Sequence, residues 1–490
     1  MRKSLVAITS IVFHFLVIAS IVVGSGVLHE LADEKEEDVI KDKFTGELEK
    51  NVTLQILEND TAKSQGYLQE LLDAFNEKYK AYGIQAVDAK IGEYSDLTKD
   101  GPYGYGPDVL YQANDVLMGY VEGHHIQPLP VEKLECYEKI DQKAWNPYTL
   151  NQSGTSYICG VPVNIQGPLL FYRKDLLPSN WKEKWDKNNN DIPDMVESWT
   201  ELYAYSKEIR KATPDKYGYM ESLSNAYFSS GYLFSYGGYL FGKDGRDLND
   251  VGLSKGNAVK GASIIRQLAT IMNRECCDDS ITLNSYSQLG NGTYFATMTT
   301  PDVYSLFINN MIASYRKETP SLTEAKAREK AKENLVITNV PSLPKNGDLE
   351  NRDDEMFTAT MMGGVNGYAM SAYTKYPNAA LEFINFATSY QMIKKRMELL
   401  SIVPARVDLA KEQGGLAETI NNNLKEGYIS VMPSVSAMGQ VWTSAGTFFA
   451  DLSEDPFREE KKQKYTNEAS ILEGLMKVDQ QIYDAVHTLK

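Results

Sequence analysis

The segment DKNNNDIPDMVE, Asp186 to Glu197, sets oxygen-bearing side chains at loop positions one, three, five and nine, with a glutamate at twelve. A helix-entering calcium loop has that spacing, because a hard cation is wrapped by about six to eight oxygens. Asp186, Asn188, Asn190, Asp194 and Glu197 would give side-chain oxygens, and Ile192 its carbonyl. Position six holds Asp191 where the turn asks for a left-handed backbone, which Asp adopts only with some strain. SWTEL follows where the exiting helix should begin. The expected ion is structural Ca2+, since the loop holds no catalytic partner. A polar insertion without an ion is the alternative.

Catalytic signatures are missing elsewhere. The chain has no GxSxG, no P-loop, no HExxH and no GxGxxG opening a helix after a strand. A glycosidase needs two carboxylates, but 66 acidic residues supply such a pair anywhere, so the pair carries no information. Five scattered histidines and the absence of CxxC or Cys/His spacing argue against zinc. Cys136 and Cys159 could bridge, although nothing in their placement fixes it, and the adjacent Cys276 and Cys277 are unsuited to each other.

A second stretch bears on binding. In GPDVLYQANDVLMGYVEGHHIQPL, Gly106 to Leu129, an apolar run ends on Gln112, Asn114 and Asp115 before a helix starts. Polar groups at a strand end either meet a ligand or simply finish the strand. The aromatic run NAYFSSGYLFSYGGYLF reads as a helix ending at Gly237–Gly238, with most of its rings in the core.

Elements able to hold such groups alternate along the chain. NVTLQILEN reads as a strand, GYLQELLDAFNEKYKAYG as a helix, IQAVDAKIG and GPDVLYQ as strands. This alternation predicts a parallel α/β sheet. In YICGVPVNIQGPLLFYRKDLL two apolar runs break at Asn164 to Pro168, where the chain could cross between lobes. SWTELYAYSKEIRKA carries a capping box at Ser198 and Glu201, and ETPSLTEAKAREKAKENL another at Ser321 and Glu324. NGTYFATMTTPDVYSLFINN reads as strand, turn and helix, GGVNGYAMSA as a strand and NAALEFINFATSYQMIKKRMELL as one long helix. The end of the chain, from VMPSVSAMGQVWTSAG onward, is helical.

At 490 residues the chain exceeds one hydrophobic core, so two or more lobes are expected. A net charge of −16 excludes the basic footprint of a nucleic-acid binder. Tyrosine is abundant, 31 against 16 Phe and 5 Trp, and its ring with a hydroxyl suits surfaces that meet sugars or peptides. Leu5 to Val23 is an apolar run behind Arg2 and Lys3, long enough for a membrane anchor. A cleaved signal peptide is the alternative, and either one exports the body. His29 to Lys50 reads as a solvated, charged tether.

At GPDVLYQANDVLMGY the sequence resembles the maltose- and maltodextrin-binding proteins, extracytoplasmic sugar receptors of bacterial ABC importers. GVPVNIQGPLLFYRKDLL, SWTELYAYSKEI, NAYFSSGYLFSYGGYLF, NDVGLSKGNAVKGA, GNGTYFATMTTP, YPNAALEFINF and VMPSVSAMGQVWTSAG follow in the family's order. The resemblance implies an α/β, two-lobe periplasmic-binding-protein-like fold of type II, with crossover hinge strands, behind an N-terminal hydrophobic helix. Residues 1–27 would be the anchor or signal and 28–50 the tether. Residues 51–163 and 364–408 would form the N-terminal lobe, 167–360 and 412–490 the C-terminal lobe. The hinge would lie near Asn164–Gln166, Met362–Gly364 and a third crossing around Val407 to Gly415.

By the same resemblance Asp60 and Asp115 are aspartates that bind sugar hydroxyls, Tyr227 a ring under the sugar and Trp442 a stacking ring. Asn114, Gln166 and Tyr304 are further ligand contacts. Departures stand at Gln112, Val116, Gln166 and Asp302, where the maltose binder has tryptophan, basic and acidic side chains, and at Thr61, which replaces a lysine. The function implied is delivery of an oligosaccharide to ABC permease subunits, without catalysis, by a monomer outside the cytoplasmic membrane, anchored or secreted. A glycosidase, or a glucan adhesin or sensor, are the competing classes.

Overall fold

The computed structural model describes residues 43–488 apart from 94, 153–154 and 275–281. The apolar N-terminal segment, most of the tether, and Cys276 and Cys277 lie outside the described residues. Among the described residues no helix is long and apolar enough to cross a membrane.

Two sheets organise the chain. In the first, strand Thr53–Leu57 runs parallel to Gln85–Asp88 and to Val109–Ala113. The long strand Met361–Met370 lies antiparallel to Val109–Ala113 on one side. It also pairs antiparallel with Val161–Gln166 and parallel with Ile429–Val431. In the second sheet the order is Leu335–Thr338, Leu169–Arg173, Tyr294–Thr299, Tyr217–Met220. The central strands are buried on both faces and read as apolar runs, as in Met361–Met370 where all ten residues are buried, while the edge strands Gln85–Asp88 and Leu335–Thr338 are only partly buried.

The helices form where apolar residues recur every three or four positions. Tyr67–Tyr79 turns Tyr67, Leu68, Leu71, Leu72, Phe75 and Tyr79 inward, each fully buried side chain worth about 1.5–3 kcal/mol. Ala226–Ser235 is apolar all round because it is packed between helix Ala258–Ala269 and the strand Met361–Met370.

The first two crossings lie side by side, with Gln166 opposite Gly364. Gly363 is glycine for want of room there, since a Cβ would stand 2.6 Å from the Gln166 carbonyl oxygen. The third crossing is not at Val407 to Gly415. Helices Val407–Gln413 and Gly415–Glu426 belong to the N-terminal side, where Glu412 accepts from Tyr390 and Lys394 and the Lys425 carbonyl accepts from Lys143. The chain passes over at Met432–Ser436 and then enters helix Met438–Glu454, which packs against Ala226–Ser235 and Ala258–Ala269.

Other expectations also change. NAALEFINFATSYQMIKKRMELL is two helices, Pro377–Ala387 and Tyr390–Leu400. The break at Thr388–Ser389 is held by Ser389 Oγ donating to the Phe386 carbonyl and by Arg406 donating to the Thr388 carbonyl. Neither capping box forms. Ser198 makes no cap hydrogen bond, and Glu201 is drawn instead into ion pairs with Arg352 and Lys187. The cap of the charged helix is Thr323, whose hydroxyl accepts from the Lys326 amide. The tether ends earlier than expected: Phe44 is buried, and Glu49 accepts from the amides of Asn378 and Ala379. Cys136 and Cys159 are both buried and form no disulfide; the Cys136 thiol donates to Thr388 Oγ1 at 3.4 Å.

Candidate functional site

A cavity of about 780 Å³ opens where the two sheets meet, within the size that holds small ligands. Asp115 and Val116 reach it from the first turn of helix Asn114–Glu122, directly after the N-terminal strand Val109–Ala113. Gln166 and Met432 reach it from two crossings. Tyr227 and Phe228 come from the start of helix Ala226–Ser235, which Asn225 caps by accepting from the Tyr227 amide at 3.0 Å. Trp442, Gly446 and Ala450 line it from the C-terminal lobe at helical spacing, because Val441, Ala445, Phe449 and Leu452 turn the opposite face of Met438–Glu454 into the core.

Of the seven residues expected to meet a ligand, the structure brings together Asp115, Gln166, Tyr227 and Trp442. Asn114, Asp60 and Tyr304 are not among the lining residues. Asn114 is wholly buried: its side-chain amide donates to the Met432 carbonyl at 3.1 Å and to Ser434 Oγ at 2.7 Å, and its carbonyl accepts from the Val365 amide at 3.1 Å. It ties two crossings to one helix, with no group left over for a ligand. Asp60 is exposed in the first turn of the short helix Asp60–Ser64, with its amide donating to Glu93. Tyr304 starts helix Tyr304–Glu318, two residues beyond Asp302, which does line the cavity.

The cavity is acceptor-rich. Burial raises the Asp115 carboxyl above its ordinary range, while the amides of Val116 and of Asp115 itself, at the helix start, pull it back. Tyr227 keeps its proton, first through burial and then through the nearby Asp302 and Asp115 charges. Among the described residues neither the Tyr227 hydroxyl nor Asp302 Oδ1 has a hydrogen-bond partner, although both atoms are buried. Aromatic faces with acceptors at the rim suit a flat, hydroxylated molecule, whose C–H faces meet rings and whose edges meet oxygens.

A larger cavity of about 930 Å³ shares only Met432 with the first. It is lined by the other side of helix Asn114–Glu122, by the crossing, and by the turn Gly242–Gly245. It gathers none of the expected ligand residues.

The loop Asp186–Glu197 stands apart from both cavities. Asp191 has φ 61°, the left-handed conformation that position six demands, and Asn189 has φ 55°. Asp186 accepts from the amides of Asn190 and Asp191 at 3.0 and 3.2 Å. The Asn188 and Asn190 amides donate to the two Glu197 oxygens at 3.2 and 2.9 Å. Asp194, nearly buried, accepts from the Lys187 amide, and burial raises its carboxyl, with Glu201 and Glu197 adding to the rise. Among the described residues no three of His, Cys, Asp and Glu converge on a metal position; two of the five side-chain donors here are amides.

Comparison with known proteins gives a consistent result. The family described as bacterial extracellular solute-binding protein matches residues 59–393. A galactooligosaccharide-binding protein of Bacillus subtilis (strain 168) is 25% identical over 397 residues, covering 79% of this chain and 81% of that protein. A maltodextrin-binding protein of the same organism is 24% identical over 388 residues, covering 79% and 82%. Among solved structures, a maltose-binding protein of Listeria monocytogenes with maltose aligns with TM-score 0.64 at 21% identity, covering 89% of this chain and 98% of that one. The Streptococcus pneumoniae MalX structure with maltopentaose aligns with TM-score 0.63 at 18% identity, covering 87% and 99%. At those identities the structures show the shared fold alone.

Proposed function

Because the chain belongs to the bacterial extracellular solute-binding proteins, which are binding proteins and not enzymes, we propose that its solute is an oligosaccharide held between the lobes and passed on unaltered to an ABC permease. The observation that carries the reading is the shared cavity: Asp115 on the N-terminal lobe and Trp442 on the C-terminal lobe line one space. Trp442 and Tyr227 offer ring faces to the sugar, and Asp115 and Gln166 accept from its hydroxyls. Closure is a population shift, driven by contacts that exist only when both lobes meet the ligand. The relatives, a galactooligosaccharide-binding and a maltodextrin-binding protein by name, support the ligand class.

Calorimetry against a panel of neutral oligosaccharides tests this. Trp442→Ala should weaken the best ligand by about 1–3 kcal/mol, as loss of an aromatic face does, with an unchanged melting temperature. New reducing ends on incubation with maltodextrins, or equal affinity in the variant, would overturn it.

The chain acts outside the cytoplasmic membrane. The segment Leu5 to Val23 serves as an uncleaved anchor in this reading, and the receptor acts as a monomer. Relatives named as lipoproteins support attachment at the membrane, although no cysteine follows the apolar run here to carry a lipid. The loop Asp186–Glu197 holds Ca2+ through Asp186, Asn188, Asn190, Asp194, Glu197 and the Ile192 carbonyl, with a structural role. The left-handed Asp191 and the buried Asp186 and Asp194 support this, since a cation would offset their desolvation. The melting temperature should drop in chelator and return with calcium; identical melts would remove the ion from the account.

A further inference from the structure

Among the described residues the cavity gathers two carboxylates and no cation. Asp115 comes from the N-terminal lobe and Asp302 from the C-terminal lobe, and no described Lys, Arg or His lines it. Asp302 sits on the single turn Pro301–Val303 that follows strand Tyr294–Thr299, so the sheet end fixes where it points. Its Oδ1 is buried without a partner among the described residues, and so is the Tyr227 hydroxyl. Asp115, Asp302 and Tyr227 all line this one cavity.

A neutral sugar would satisfy some of these acceptors but would leave two carboxylates of one cavity without a counter-ion as water leaves. That arrangement costs energy unless a positive group enters with the ligand. A ring face next to the carboxylates favours a cation further, through attraction to the π system of Trp442, Tyr227 or Phe228. The net charge of −16 draws cationic ligands toward the protein and repels uronic, sulfated or phosphorylated glycans.

We propose that the cleft selects an amino-sugar oligosaccharide, its ammonium donating to Asp115 and Asp302 while its ring lies against the aromatic wall, and that Asp302 is the specificity-determining residue. The proposal rests on the oligosaccharide reading above and narrows it.

Calorimetry on the full-length chain in detergent micelles, at mildly acidic pH where sugar amines are protonated, tests it with three probes. These are the glucosamine trimer, its N-acetylated form, and maltotriose. The acetylated trimer keeps the skeleton and removes the charge. The glucosamine trimer should bind at least about tenfold tighter than either neutral probe, and lose that advantage in high salt. D302N should cut the preference of amine over acetylated trimer by about tenfold while the melting temperature stays put. Equal or tighter binding of the acetylated trimer or maltotriose overturns this proposal and leaves the oligosaccharide reading standing, as does a preference unchanged in D302N. Failure of all three probes to bind counts against both.

Discussion

Glu58 in the N-terminal lobe and Glu221 in the C-terminal lobe are both shut away from water, and each lobe answers the cost differently. Glu58 is met by a counter-charge: two Arg396 N–H groups donate to it, at 2.6 and 3.1 Å, and Tyr368 donates its hydroxyl. Arg396 is itself wholly buried and lies over the Tyr111 ring at 3.9 Å. Glu221 meets no cation. One of its oxygens accepts from Tyr219 and Tyr232 at 3.0 and 2.9 Å, the other has no partner among the described residues, and burial pushes its carboxyl up to about 8, against the opposing pull of the two hydroxyls. A buried acid is tolerated either as an ion with its partner or as a neutral acid among donors. The second arrangement makes the fold sensitive to pH, because Glu221 is held neutral by its burial.

The largest test of that contrast is Arg396→Met. It strands Glu58 as an unpaired buried charge and should cost about 3–5 kcal/mol, read as a fall in the denaturant midpoint. A loss below about 1 kcal/mol would mean that the ion pair is not what keeps the N-terminal lobe folded around Glu58.

Glu221 should reveal itself through pH. Its folded-state value lies above the ordinary 4.5, so the folded chain holds the proton more firmly than the unfolded chain does. Stability from this group is therefore fully present below about pH 4.5 and is lost as pH rises toward 8. Across that window the loss should be on the order of 2–4 kcal/mol. Glu221→Gln should remove that slope, measured by denaturant melts at several pH values. A slope of the same size in the variant assigns it to other groups.

The smallest effect sharpens the comparison most. Tyr232→Phe and Tyr368→Phe each delete one hydroxyl donor to a buried glutamate, and each should cost about 1 kcal/mol. Tyr232→Phe should also displace the Glu221 midpoint upward, because that hydroxyl favours the ionised form. A midpoint that stays or falls would show that Tyr232 does not govern the proton.

Much of this was legible in the sequence, for identifiable reasons. Strands such as Thr53–Leu57 and helices such as Tyr67–Tyr79 announce themselves by local period, and the left-handed turn at Asp191 by its place in the loop. Asp115 and Trp442 came from a resemblance, and the fold sets both on one cavity. What stayed hidden depends on distant partners. Asn114 reads as a ligand contact because it stands with Gln112 and Asp115 at a polar strand end, but its partners Val365 and Met432 are more than two hundred residues away. The Thr388–Ser389 break carries no glycine or proline to mark it, and Glu201 left its cap for Arg352, about 150 residues on. Asp302 stands in the sequence only as a departure from the family's pattern; that its Oδ1 is buried without a partner among the described residues shows only in the fold. The spacing of Trp442, Gly446 and Ala450 was the one signal in the sequence that could have added cavity residues.

Asn114 and Asp115 are consecutive residues with opposite duties. One is stitched to the backbone on which the lobes turn, and the other looks into the space they enclose. If the lobes close on a ligand as proposed, a pull on the second reaches the first after a single peptide unit, with almost no slack between feeling a guest and bending. A label placed beside this spot would then register occupancy and posture together.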